Sequence, residues 1–159
     1  MSEISAYHEA GHAFLALYVG ARVQSITIDP DWDDGPERHG DTQVAWKRSR
    51  FSEREFHEKS ILVSLAGPVA EMIHTGDPYH PGMVAEWSHD WAAAWESAGT
   101  FLPDERQRLA YLEEASLKLY RLLHRDEHWA ALAAIVDNLL AHETLEGDEV
   151  REIYRDWMG

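Results

Sequence analysis

From Ser52 onward, apolar residues recur at helical spacing almost without interruption, and before that run come one further helical stretch and two short β-rich ones. A chain patterned this way builds a mostly α-helical domain of the α+β kind, with one small antiparallel sheet placed early. Ser52 and Glu55 have the spacing of a capping box, which predicts a helix from about Glu53 to His74, ending at "TGDP". Further helices are predicted from about Val84 to Ala98, from Pro103 to His124, from Glu127 to His142 and from Asp148 to Trp157. Ahead of Ser52, Ser2 is read as the cap of a first helix carrying Ile4, Tyr7, Ala10, Phe14, Leu17 and Tyr18, and Gly20 closes it. "RVQSITID" sets Val23, Ser25 and Thr27 against Gln24, Ile26 and Ile28 and reads as a strand. "TQVAW", Thr42 to Trp46, reads as its antiparallel partner, with the polar loop "PDWDDGPERHGD" between them.

The size of the chain, 159 residues, suits one domain over 1–159. Within it, 1–100 holds the candidate chemistry, and 101–159 is a C-terminal helical part. A net charge of −15 disfavours nucleic acid and anionic membranes as partners, because both are bound through Lys and Arg. The absence of Cys leaves His, Asp and Glu as the only strong metal ligands. No apolar run approaches the ~20 residues of a membrane span, and the start lacks the form of a signal peptide, so the expected compartment is the cytoplasm.

The stretch "YHEAGHAFLALY" carries the densest chemistry. His8 and His12 are four residues apart, about 400° around a helix, so their rings leave one face. Two imidazoles so placed can share one Zn2+. Glu9, turned by about 100°, can reach a water at the same point and act as its base. This is the H-E-x-x-H pattern of zinc hydrolases. The competing reading is a polar stripe on an exposed first turn. Against it, the following turn is apolar, and Ala10, Gly11 and Ala13 are small enough to let another backbone come close.

The stretch "ISAYHEAGHAFLALYVGARVQSITIDP" resembles the protease domain of the FtsH-type zinc metalloproteases (peptidase family M41). Three further segments follow in the family's order: "LVSLAGPVAEMIHTGD", "EWSHDWAAAWESAG" and "HETLEGDEV". The resemblance implies a zincin-like helical domain and Zn2+ as cofactor. It implies His8, His12 and Asp90 as ligands, Glu9 as general base, and a polypeptide as substrate. Glu71 and His89 remain alternatives to Asp90: Glu71 as a ligand from a second helix or as a carboxylate orienting a zinc histidine, His89 as the neighbour of Asp90. The family's membrane helices and its G-x-x-x-x-G-K-[ST] loop are not found in these 159 residues, so ATP-driven unfolding is not implied.

The expected reaction is zinc-dependent hydrolysis of flexible or unfolded polypeptide. In zincins, substrate pairs with a sheet edge, which makes Gln43, Val44, Ala45 and Trp46 candidate binding residues through their backbone groups. The alternative is a peptide- or partner-binding module without turnover. Assembly with copies of itself, or with a separate partner protein, fits the resemblance. Trp87, Trp91 and Trp95, spaced i, i+4, i+8, read as core, with a cleft wall as the other option. His74, His80, His124, His128 and His142 are expected at the surface.

Overall fold

In the computed structural model, described for residues 2–29, 40–77 and 87–159, there are six α-helices and one small open sheet among the described residues. Helix α1, Ser2–Tyr18, opens the chain. Ser2 lies inside it rather than ahead of it as a cap. Gly20, at φ 97°, takes the left-handed conformation that ends the helix. Strands β1, Arg22–Thr27, and β2, Asp41–Ala45, pair antiparallel as expected, and Trp46 lies just past the end of β2. The register shifts between Val23 and Ser25, so the alternation read from the sequence does not run through β1. A bulge resets which residues face inward, and Val23 and Ile26 are both buried.

After a turn of 3-10 helix at Arg48–Arg50 comes α2, Glu53–Thr75, where Ser52 and Glu55 make both bonds of the capping box. Three helices follow: α3, Ser88–Gly99; α4, Glu105–Leu123; and α5, Asp126–His142. Strand β3, Thr144–Glu146, then adds antiparallel to β1, and α6, Gly147–Met158, ends the chain. Among the described residues the sheet order is β2-β1-β3, with β2 at an edge. The loop predicted between the first two strands, His80, and the predicted start of the third helix fall largely or wholly outside the described residues.

Helix α1 is the axis of the molecule. It packs on α2 along one side, on α5 and α6 along another, and on the sheet. Its residues from Glu9 to Ala16 are all buried. The approach of α2 is close because Gly11 has no side chain: a Cβ there would lie 2.5 Å from the Ala66 carbonyl oxygen. Helices α3 and α4 pack mainly on α2 and on each other. No helix among the described residues is long and apolar enough to cross a membrane.

Trp87 is buried, while Trp91 and Trp95 are half-buried and pack against the core. Arg108 lies over the Trp95 ring at 4.6 Å. His128 departs from the surface expectation. It is buried, bonds the Leu122 carbonyl through Nδ1 at 2.8 Å and packs on Phe14 and Tyr18. It occupies the apolar stripe that continues through Ala131, Leu132, Ile135 and Leu139. His124 and His142 are exposed. His74 is partly exposed, stacked on Tyr7 and paired with Glu3 at 3.0 Å.

Candidate metal centre

The histidines of α1 do not sit on an exposed turn. Both face α2, and both have one ring nitrogen committed. His12 Nδ1 donates to the Val63 carbonyl oxygen at 2.7 Å. His8 Nδ1 donates to Glu71 Oε2 at 2.5 Å, and that oxygen also accepts the Trp87 indole N–H at 2.7 Å. With both Nδ1 atoms acting as donors, each ring presents Nε2 outward. The two Nε2 atoms lie 3.1 Å apart. Asp90, on the first turn of α3, sends its carboxylate to the same place: Oδ2 is 2.9 Å from His8 Nε2 and Oδ1 is 3.5 Å from His12 Nε2.

One ligand atom from each of His8, His12 and Asp90 falls within 4.8 Å of the other two. Lone pairs on two imidazoles facing a carboxylate at these distances repel unless a proton or a cation lies among them. The titration of the groups reflects that field. Burial opposes charge on His8, but hydrogen bonds to Asp90 and Glu71 outweigh it and raise the imidazole to about 10. His12 is likewise raised, with burial opposed chiefly by the Asp90 charge. Burial pushes the Asp90 carboxyl upward, yet His12 and His8 hold it well below the ordinary carboxylate range.

The space beside the cluster is kept open by a glycine. A Cβ on Gly67 would lie 2.5 Å from His12 Nε2 and 2.8 Å from His8 Nε2. The donor set and this opening both fit a small cation that prefers nitrogen and carboxylate ligands.

Glu9 is buried next to the cluster, and its Oε1 accepts the Thr42 hydroxyl at 2.6 Å. A cavity of about 200 Å3 borders both, lined by Glu9, His12, Thr42, Val44, Val63, Ser64, His89, Asp90 and Ala93. His89 is exposed at its rim and outside the converging cluster, and Glu71 sits behind His8 rather than at the point where the Nε2 atoms meet. Of the four edge-strand candidates, Val44 lines the cavity, Gln43 is exposed and Ala45 ends β2. Trp46 packs edge-on against Phe51 and Phe56. The three tryptophans of the 87–95 stripe do not line this cavity.

Sequence reading missed Thr42, the Val63 carbonyl, Trp87 as a partner of Glu71, and Gly67. Only Gly67 carried a local signal: a Gly-Pro pair, Gly67–Pro68, inside a helical run.

No family model matches the sequence. Over 94% of its length the chain is 31% identical to an ATP-dependent zinc metalloprotease FtsH of Opitutus terrae. Over 97% of its length it is 28% identical to a protein of the same name from Acidimicrobium ferrooxidans. It spans 28% of the length of each of these curated relatives. Nearly the whole of this chain is thus similar to one region of two FtsH proteins.

Proposed function

We propose that this chain is a zinc-dependent endopeptidase domain of the FtsH type, acting on flexible or unfolded polypeptide. The observation that carries this reading is the convergence of His8, His12 and Asp90 within 4.8 Å, with the buried carboxylate of Glu9 alongside. His8, His12 and Asp90 hold the zinc. Glu71 and the Val63 carbonyl fix the ring orientation of the two histidines. A zinc ion bound there supplies Lewis acidity, lowering the pKa of a water toward ~7 and polarising the scissile carbonyl.

Glu9 removes the proton from the attacking water and delivers it to the leaving amine. Its burial keeps bulk water from competing for that carboxylate. The substrate pairs with β2, the edge strand of the sheet among the described residues. Gln43, Val44 and Ala45, with Trp46 beyond, meet it mainly through backbone groups, so selectivity for sequence is weak. The relatives are named ATP-dependent; hydrolysis by this region itself needs no ATP.

The test is Glu9→Gln, which replaces the base and keeps the shape. The zinc-loaded wild type is expected to cleave unfolded casein. The variant is expected to keep about one zinc per chain and to lose activity by ~100-fold or more. Equal cleavage by the two proteins rejects Glu9 as the base. A zinc-loaded wild type that binds casein without cleaving it points instead to a binding module.

A further inference from the structure

Glu9 is not free to choose how it presents its carboxylate. Oε1 is taken by the Thr42 hydroxyl at 2.6 Å, a short bond of the charge-assisted kind. The same hydroxyl lies 3.2 Å from Glu9's own carbonyl oxygen, so Thr42 touches both ends of the residue. Oε2 remains. On its side, the backbone of Gly40 comes so close that a Cβ there would lie 2.8 Å from Glu9 Cγ and 3.1 Å from Oε2.

Thr42 is itself well placed to fix something. It sits in β2 opposite Ile26, a fully buried residue of β1. Thr42 and Val44, two apart on a strand and so on one face, both line the cavity, whereas Gln43 between them is exposed. The edge strand of the sheet among the described residues is therefore the strand whose hydroxyl holds Glu9.

We infer that Thr42 is a positioning residue that couples the edge strand to Glu9. Its hydroxyl occupies Oε1, so that Oε2 alone meets the attacking water. A peptide registered on β2 is thereby registered on that oxygen. This inference rests on the peptidase reading of the same site and adds a role that neither the H-E-x-x-H spacing nor the ligand geometry contains. Thr42 touches neither the substrate's scissile bond nor the metal, and acts through Glu9.

A Thr that merely satisfies a buried carboxylate would affect melting and leave the reaction alone, so the test reads both. Two variants remove the hydroxyl: Thr42→Val keeps the shape, and Thr42→Ala avoids pressing a methyl on the carboxylate. Thr42→Ser keeps the hydroxyl. Each zinc-loaded protein is measured three ways: zinc affinity by chelator competition, affinity for acetohydroxamate by calorimetry, and peptide cleavage. Acetohydroxamate is the probe because its N–O–H group needs an oriented carboxylate next to the metal.

For Val and Ala, zinc affinity is expected within about threefold of wild type, with hydroxamate binding weakened about tenfold. For the same two variants kcat falls ~30-fold or more at a KM within about twofold, as expected for a misplaced base. Ser restores both. Hydroxamate affinity in Val or Ala equal to wild type overturns the inference, as does an equal loss in Ser. If wild type binds hydroxamate in this Thr42-dependent way yet cleaves no peptide, the coupling stands and the peptidase reading fails.

Discussion

Gly67 is the residue whose replacement most directly separates the metal site from the fold. In Gly67→Ala the new Cβ arrives 2.5 Å from His12 Nε2, 2.7 Å from its Cε1 and 2.8 Å from His8 Nε2. Ordinary contact begins at 3.4 Å, so the nearest ring atom must retreat by about 0.9 Å. Neither ring has slack to do so. His12 is pinned to the Val63 carbonyl and His8 to Glu71, so retreat breaks one of those bonds. Leaving a buried partner unpaired costs about 1–3 kcal/mol, while Ala in place of Gly in a helix interior gains about 1 kcal/mol. The gain offsets the cost in part, leaving a net loss of about 0–2 kcal/mol, and the melting temperature measured in EDTA should fall by no more than about 8 °C. Zinc does not benefit from that offset, because ligand distances tolerate only about 0.2 Å. A displacement several times larger should weaken zinc binding by at least ~100-fold, or about 2.7 kcal/mol. Chelator competition on wild type and variant gives the ratio. A variant that binds zinc within about threefold of wild type would falsify the assignment of the Nε2 atoms to one shared cation.

Two further outcomes follow from the groups around that point. Because His8 is raised to about 10, it holds a proton at pH 7 that zinc must displace. Calorimetry in buffers of different ionisation enthalpy should therefore show proton release, and zinc affinity should climb with pH until about 10. In EDTA the sign reverses: the raised His8 stabilises the fold fully below its unfolded value of ~6.5 and progressively less as pH rises toward 10, so thermal stability should fall across that window. His128→Leu removes the Nδ1 donor from the partly buried Leu122 carbonyl, and thermal denaturation should show a loss of about 1 kcal/mol with zinc affinity unchanged.

What could be read from the chain follows the range of each interaction. The Ser52–Glu55 capping box and the His8–His12 spacing are closed within one helical turn, so their residues announce them. The pairing of β1 with β2 was legible because each has a run of strand-forming residues. Strand β3 was not: it is three residues between two helices, and only its pairing with distant β1 makes it a strand. Asp90 came to the site through resemblance, since no local pattern distinguishes it from the chain's other acidic residues. The Val63 carbonyl has no sequence signature at all, because every residue carries one. His128 is the opposite case. Its spacing from Ala131, Leu132, Ile135 and Leu139 is that of one helix face, so its burial follows from periodicity even though the residue is polar.

The burial of α1 on every side from Glu9 to Ala16 gives the site a fixed half and a docked half. His12 and Glu9 are anchored in the axis of the molecule, clamped by α2, α5, α6 and the sheet, and cannot leave without dismantling the core. Asp90 rides on α3, a short helix held mainly by α2 and α4. In the proposed metal site, Asp90 is therefore the one ligand of the three that a movement of α3 alone would withdraw, leaving the two histidines of α1 in place.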